Sequence, residues 1–99
     1  MTRKHFIAMA IEFGDLYRDV DYKWDATPEE WRSNVASAAH VLALDTLRRC
    51  EEAFMSVAKR SNPRFDSENF LTFVQEIRRG DRDLDGKKVP ASKRASVTA

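Results

Sequence analysis

Hydrophobic residues along the chain recur at intervals of three and four, which is the spacing of one face of an α-helix. In the first segment the intervals are four, three, four, three and four, and they predict a helix over about residues 3–24. The residues are Phe6, Ala10, Phe13, Tyr17, Val20 and Trp24. Gly14 lies inside this helix at a cost of about 1 kcal/mol relative to Ala. Either the helix bends there or another backbone approaches closely.

A helix start is indicated at Thr27-Pro28. Thr27 fits an N-cap, and Pro28 fits the first helical position, where its missing N–H is no loss. Glu30 completes a capping box. Trp24 and Trp31 flank this turn and are interpreted as packing two helices together. The second helix is expected over about residues 28–60, roughly 50 Å long at 1.5 Å per residue.

The apolar residues of this long helix form two adjoining stripes. The first contains Val35, Ala39, Leu42, Cys50 and Val57, and the second contains Leu44, Leu47, Phe54 and Ala58. Cys50 is interpreted as a small core residue. The helix is therefore apolar over more than one narrow seam.

A joint follows in residues 61–71, which read SNPRFDSENFL. Pro63 disfavours helical geometry at Asn62, so the long helix should stop there. Asp66 or Ser67 is expected to cap a third helix over about residues 67–79, with Gly80 as its stop. Phe65 precedes the cap and is expected to pack against Phe70 or Leu71.

These elements predict an all-α protein with a helical hairpin and a short third helix folded back on it. Residues 1–80 form the expected domain. Residues 81–99 are expected to be a disordered acidic turn and basic tail, since their C-terminal part carries four basic residues and neither an acid nor an aromatic. Two short helices cannot cover a 50 Å helix, so self-association is expected, most simply as a twofold homodimer through the long helices.

Composition narrows the function classes. The net charge of +1 gives no global attraction to nucleic acid or membranes, and no run of 18 apolar residues is present. The single Cys50 excludes an intrachain disulfide and a Cys-rich zinc site. A signal peptide is not expected, so the cytoplasm of a bacterial cell is the predicted location.

The candidate chemistry is sparse. Residues 81–86 read DRDLDG, the first half of a calcium loop, but Lys88 and Ser92 stand where an apolar residue and a bidentate Glu should follow. A plain acidic turn is the favoured interpretation. His5 and His40 lie on different helices, and His40 is too far from Cys50 to pair with it. Neither enzymatic activity nor a cofactor or metal is predicted.

Nucleic-acid binding stays open as an alternative. The basic tail would give weak, salt-sensitive affinity, and the third helix offers Gln75, Arg78 and Arg79 to bases. A solvated helix surface is the favoured interpretation of those side chains.

The residues Asn62-Pro63-Arg64-Phe65-Asp66, followed by Phe70-Leu71, resemble a motif of small bacteriophage proteins of unknown function. Those proteins open with basic residues and an aromatic, as residues 3–6 do here, and have a long helical middle. They usually end soon after the motif, whereas this chain continues for nearly thirty residues more. The resemblance implies a phage accessory protein in an infected bacterial cytoplasm and supplies no activity.

The leading functional hypothesis is a non-enzymatic phage protein that binds and modulates a host or phage protein. A minor virion or assembly component is a further alternative. The residues predicted to contact a protein partner are Arg64, Asp66, Glu68, Arg78 and Arg79. The residues predicted to be structural are Thr27, Pro28, Pro63, Phe65 and Phe70.

Overall fold

The protein is all-α, with three α-helices and one short 3₁₀ turn, in a computed structural model that describes residues 3–90. Helix α1 spans Arg3–Ala26, α2 spans Asn34–Ser61 and α3 spans Ser67–Arg79, with a 3₁₀ turn at Glu29–Trp31 between the first two. Helix α1 packs against both other helices. The all-α prediction and the three-helix architecture are confirmed.

The first two helices form an antiparallel hairpin, and α3 runs parallel to α1. The Trp24 ring stacks on the His40 ring near the connecting loop. Further from the loop, the ring centroids of Phe13 and Phe54 lie 6.0 Å apart. Between α1 and α3, the Phe6 ring near the start of α1 packs on Phe65, just before α3. Asp21 near the end of α1 forms an ion pair with Arg78 near the end of α3.

Five phenylalanine rings hold the three helices together at one end of the molecule. Phe6 and Phe13 come from α1, Phe54 from α2, and Phe65 and Phe70 from the joint and α3. Their ring centroids lie 4.6–6.5 Å apart, the range in which aromatic pairs attract. Phe13, Phe65 and Phe70 are buried. The predicted contact between Phe65 and Phe70 is confirmed.

Gly14 marks the closest approach between α1 and α3. A Cβ on Gly14 would overlap the Cβ and Cγ2 atoms of Ile77 and would lie 3.0 Å from the carbonyl oxygen of Val74. Ile77 and Val74 are both fully buried. Of the two sequence interpretations of Gly14, the close approach of another helix is therefore supported. The missing side chain lets α3 settle directly against the α1 backbone.

The predicted start of the second helix was wrong. Thr27 does not cap it; its hydroxyl donates to the carbonyl of Lys23 and closes the end of α1. Pro28 has extended geometry and precedes a single 3₁₀ turn at Glu29–Trp31. Ser33 caps α2 instead, with its hydroxyl accepting from the N–H of Ala36.

The reason for this shift lies in Arg32. Its guanidinium sits 4.9 Å from the centre of the Trp24 ring and donates to the Trp24 carbonyl. Its backbone is non-helical, with φ −79° and ψ 63°, so the 3₁₀ turn at Glu29–Trp31 does not continue into a longer helix. Trp31 is 70% exposed, so the predicted packing of both tryptophans between the helices holds for Trp24 only.

Residues 81–90 were predicted to be disordered, and this was wrong for the part that the structure describes. Arg82 donates to Glu76 and to the carbonyl of Gly86, and its guanidinium lies 4.4 Å from the Phe73 ring centre. Gly86 has φ +84°, and a Cβ there would lie 3.2 Å from the Phe73 ring and 3.5 Å from Ile11. A Cβ there would be strained, which explains the glycine. Residues 91–99, the rest of the predicted tail, lie outside the described residues.

The α3 boundaries are as predicted. Asp66 caps the helix by accepting from the N–H of Asn69, and Gly80 ends it in the left-handed conformation with φ +80°. The Gly80 N–H donates to the Ile77 carbonyl, and the Asp81 N–H donates to the Glu76 carbonyl. These two bonds satisfy carbonyl groups in the last turn of α3. Asn62 is extended, so α2 stops at Ser61 as Pro63 requires.

Replacing Gly14 by alanine tests the close approach. In an exposed helix this change would stabilise by about 1 kcal/mol, but here the new methyl group meets Ile77. We expect Gly14→Ala to lower the free energy of unfolding by about 1–3 kcal/mol in urea denaturation. Glu12→Ala, an exposed change on the same helix, should stay within about 0.5 kcal/mol. A stabilised Gly14→Ala protein would contradict the packing.

Phe65→Ala tests the aromatic cluster at the joint. Because the Phe65 ring is 5% exposed and packs on Phe6, Phe54 and Phe70, its removal should cost about 3–5 kcal/mol. Arg64→Ala, one residue away and exposed, should leave the melting temperature within a degree or two. Equal melting temperatures for the two variants would refute a structural role for Phe65.

Candidate protein-interaction surfaces

The turn that carries Arg64 is fixed by hydrogen bonds from both sides. The Lys59 ammonium donates to the carbonyls of Pro63, at 2.8 Å, and Phe65, at 3.2 Å. The Arg64 N–H donates to the Asn62 side chain at 3.0 Å. The backbone of this turn is therefore held in one conformation, with Phe65 directed into the core.

The Arg64 side chain is exposed. Within residues 3–90, its guanidinium makes neither an ion pair nor a hydrogen bond. Glu68 is similarly exposed in the first turn of α3. Asp66 lies between them and serves as the α3 cap, so its carboxylate has a structural role. We call the exposed pair of Arg64 and Glu68 the joint surface.

The two basic residues predicted with them lie at the other end of α3. Arg78 donates through Nε and Nη2 to the two carboxylate oxygens of Asp21, at 2.7 and 2.9 Å, and its guanidinium lies 4.8 Å from the Tyr17 ring centre. Arg79 pairs with Asp81 at 3.3 Å. The five predicted interaction residues thus do not form one site, and Arg78 ties α3 to α1.

Next to Arg78 is a buried polar contact that the sequence analysis missed. Glu51 on α2 is 4% exposed, and its Oε1 accepts a 3.4 Å hydrogen bond from the Tyr17 hydroxyl. Its Oε2 has no partner among the described residues. Burial raises the pKa of the Glu51 carboxyl above its ordinary value of 4.5, although the Tyr17 hydrogen bond opposes this. Burial, followed by the charge of Glu51, raises the pKa of Tyr17 to about 12.

The long helix α2 turns a continuous line of small and apolar residues away from the core. We call it the outer stripe; its members are Val35, Ala39, Leu42, Thr46, Cys50, Ala53 and Val57, all exposed. The exposed fractions of Val35, Leu42 and Val57 are 80%, 65% and 46%. The interpretation of Cys50 as a core residue was therefore wrong. Beside the stripe, Ser37, Ala38 and Val41 line a shallow groove that reaches Leu42.

A compact group of charges borders the middle of the outer stripe. Asp45 pairs with Arg48 at 2.7 Å and with Arg49 at 3.0 Å, and Arg48 also reaches Glu52 at 3.3 Å. The hydrogen bond from Arg48 holds the pKa of Asp45 below its usual value. This flank carries both signs of charge within one turn of Thr46.

The remaining candidates give no assembled chemistry in the described part of the chain. Between residues 3 and 90, no three His, Cys, Asp or Glu side chains are grouped to hold a metal ion. The Asp83 carboxylate accepts from the N–H groups of Asp85 and Lys87, as expected of a plain acidic turn. His40 stacks on Trp24 at 4.6 Å, at the edge of the core. None of the described helices has the length and apolarity to cross a membrane.

Comparisons with protein-family models, curated proteins and solved structures found no match.

Glu51→Gln tests the buried carboxylate through the pH dependence of stability. A raised pKa in the folded state means that the native protein binds the proton more tightly. Ionisation of Glu51 therefore lowers the free energy of unfolding as the pH rises through the pKa of the folded state. Well below pH 4.5 the carboxyl is neutral in both the folded and the unfolded protein. We expect Glu51→Gln to melt above wild type near pH 7.5, with the gap closing towards pH 4.

The control for this experiment is Glu12→Gln, which changes an exposed glutamate on α1. Its melting temperature should follow wild type across the same pH range. A Glu51→Gln difference that does not change with pH would contradict the burial argument. Thermal melts followed by circular dichroism at four pH values give the readout.

Proposed function

We propose that this protein acts by binding other proteins rather than by catalysis, as an accessory protein of a bacteriophage in the infected bacterial cell. The observation that carries the protein-binding role is the outer stripe. Exposed apolar side chains that run together along a helix are typical of surfaces that meet another protein. Here Val35 and Leu42 of the outer stripe, and Val41 in the groove beside it, are each more than 60% exposed within two turns of α2.

The joint surface supports contact with a host or phage protein. Folding accounts for most of the phage-like motif: Pro63 ends α2, Phe65 fills the core and Asp66 caps α3. Arg64 is the residue left over, held outward on a rigid turn. Arginine is enriched where proteins bind each other because its planar fork of donors pairs with carboxylates. We propose that Arg64 contacts an acidic group of the partner, with Glu68 beside it.

Nucleic-acid binding ranks below this. Arg78 and Arg79, the basic residues offered to bases, are each engaged by an aspartate of the same chain. A phosphate would have to compete with those pairs. Lys93 and Arg94 of the basic tail lie outside the described residues.

The test is affinity capture of the tagged protein from infected bacteria, with quantitative mass spectrometry. Arg64→Ala should reduce recovery of the partner protein about tenfold, because a partly buried charged contact is worth about 1.4 kcal/mol or more. Lys23→Ala is the matched control: it removes an exposed cation at the far end of α1 and should retain full recovery.

Two outcomes would contradict the proposal. Equal recovery of a specific protein with wild type and Arg64→Ala would exclude the joint surface. Recovered material that disappears on nuclease treatment, or with a moderate rise in salt, would favour the nucleic-acid alternative.

A further inference from the structure

We infer that the outer stripe is a dimerisation surface, on which a second copy of this chain packs its own α2 in the antiparallel direction with the twofold axis passing Thr46. The inference rests on the proposed protein-binding role and names the partner of one surface. It leaves the joint surface free for a different protein. Three features of α2 support it: the spacing of the stripe, the sizes of its residues and the charges beside it.

The spacing of the outer stripe is symmetric about its centre. From Val35 to Val57 the intervals are four, three, four, four, three and four residues, two repeats of eleven. A repeat of eleven gives 3.67 residues per turn, so the stripe stays on one face of an almost straight helix. Over 22 residues it extends about 33 Å.

Reversing the second helix about Thr46 maps the stripe onto itself. Val35 then faces Val57 of the second copy, Ala39 faces Ala53, and Leu42 faces Cys50. Every apolar member meets an apolar or small member, and both valines are matched. A parallel pairing would also align the stripe, so the direction must come from the charges.

The charges favour the antiparallel direction. Asp45 and Arg49 lie on one flank of the stripe, on either side of Thr46, and already pair within the chain at 3.0 Å. A twofold axis perpendicular to the helices brings this flank against the same flank of the second copy. Arg49 then lies alongside Asp45 of the second copy, and the reverse pair forms by symmetry. In a parallel pair, the two flanks would lie on opposite sides and these contacts would not form.

The residues at the centre suit a close approach of two helices. Thr46, Ala39 and Ala53 are small, which allows the backbones to come near, and Leu42 fills the space between them. A single polar residue in such a seam fixes the register. The edge position of α2 leaves room for this: α1 packs on the adjoining apolar stripe, and the outer stripe is open along its full length.

Disulfide trapping tests the direction of pairing. In a Cys50→Ser background, Thr46→Cys places one thiol next to its symmetry mate, whereas Ala39→Cys or Ala53→Cys places the thiols about 21 Å apart along the axis. We expect mild oxidation to link Thr46→Cys into a covalent dimer at least tenfold faster than either control. A mixture of the Ala39→Cys and Ala53→Cys proteins should form the mixed dimer.

Charge exchange tests the flank. Asp45→Arg leaves three arginines near the axis of each copy, so we expect the dissociation constant of the dimer to rise about tenfold or more in sedimentation equilibrium. Arg49→Asp combined with Asp45→Arg restores the pairs with reversed polarity and should restore dimerisation. Circular dichroism checks that the helices remain, since both positions are on the surface.

Several results would overturn the inference. A monomer of 11.4 kDa at 100 µM would do so, as would equal trapping rates at residues 39, 46 and 53. Failure of the double exchange to recover a dimer would exclude the antiparallel flank contact. These outcomes are independent of the Arg64 experiment. A further result would overturn it: the chain is monomeric, it captures another protein, and Leu42→Asp abolishes that capture. The outer stripe would then bind that other protein and not a second copy of the chain.

Discussion

The approach of α3 to α1 at Gly14 is the constraint on which the rest of the structure depends. Because Gly14 has no side chain, Ile77 and Val74 rest directly against the α1 backbone and are fully buried. This contact makes α1 the central helix, with α3 on one side and α2 on the other. Helix α3 is only 13 residues long, so it covers one end of the assembly. The outer face of the 28-residue α2 is left to solvent.

Polar contacts then fix the orientation that the apolar contacts allow. Arg78 donates two hydrogen bonds to Asp21 and lies over the ring of Tyr17. The Tyr17 hydroxyl in turn donates to Glu51. All three helices meet in this chain of contacts. It has a cost, since the Glu51 carboxylate is withdrawn from water with one oxygen unpaired. A buried network of this kind specifies one arrangement of the helices more than it adds stability.

The architecture was predictable where local chemistry decides it. The period of the apolar residues gave all three helices, and Asp66 and Gly80 marked both ends of α3 correctly. Prediction failed where a distant residue decided the outcome. Thr27-Pro28 had every local mark of a helix start, but Arg32 binds Trp24 and α2 begins only at Asn34, after its cap Ser33. The order of residues 81–90 depends on Arg82 reaching Glu76 and Phe73, contacts that no local pattern reveals. Burial of Glu51 was hidden for the same reason, since an acidic residue on a helix ordinarily indicates its solvated face.

The candidate surfaces divide in a similar way. Arg64 was predicted to contact a partner because the sequence gives it no role in folding. Its exposure in the structure agrees with this prediction. Arg78 and Arg79 were grouped with it by sequence, yet they lie a helix length away and are paired. The outer stripe was visible as one of two apolar stripes, but only the packing of α1 shows which stripe faces the core.

The distance between spin labels on the two copies tests the central claim most directly. With Cys50 replaced by serine, one label is introduced through Thr46→Cys and, in a second protein, through Val57→Cys, and pulsed electron spin resonance measures the separation. The antiparallel pairing predicts that the two labels at residue 46 lie close together. At residue 57 it predicts that the two labels are separated by about 33 Å along the helix axis. Short distances at both positions, or no dipolar coupling at either, would contradict it.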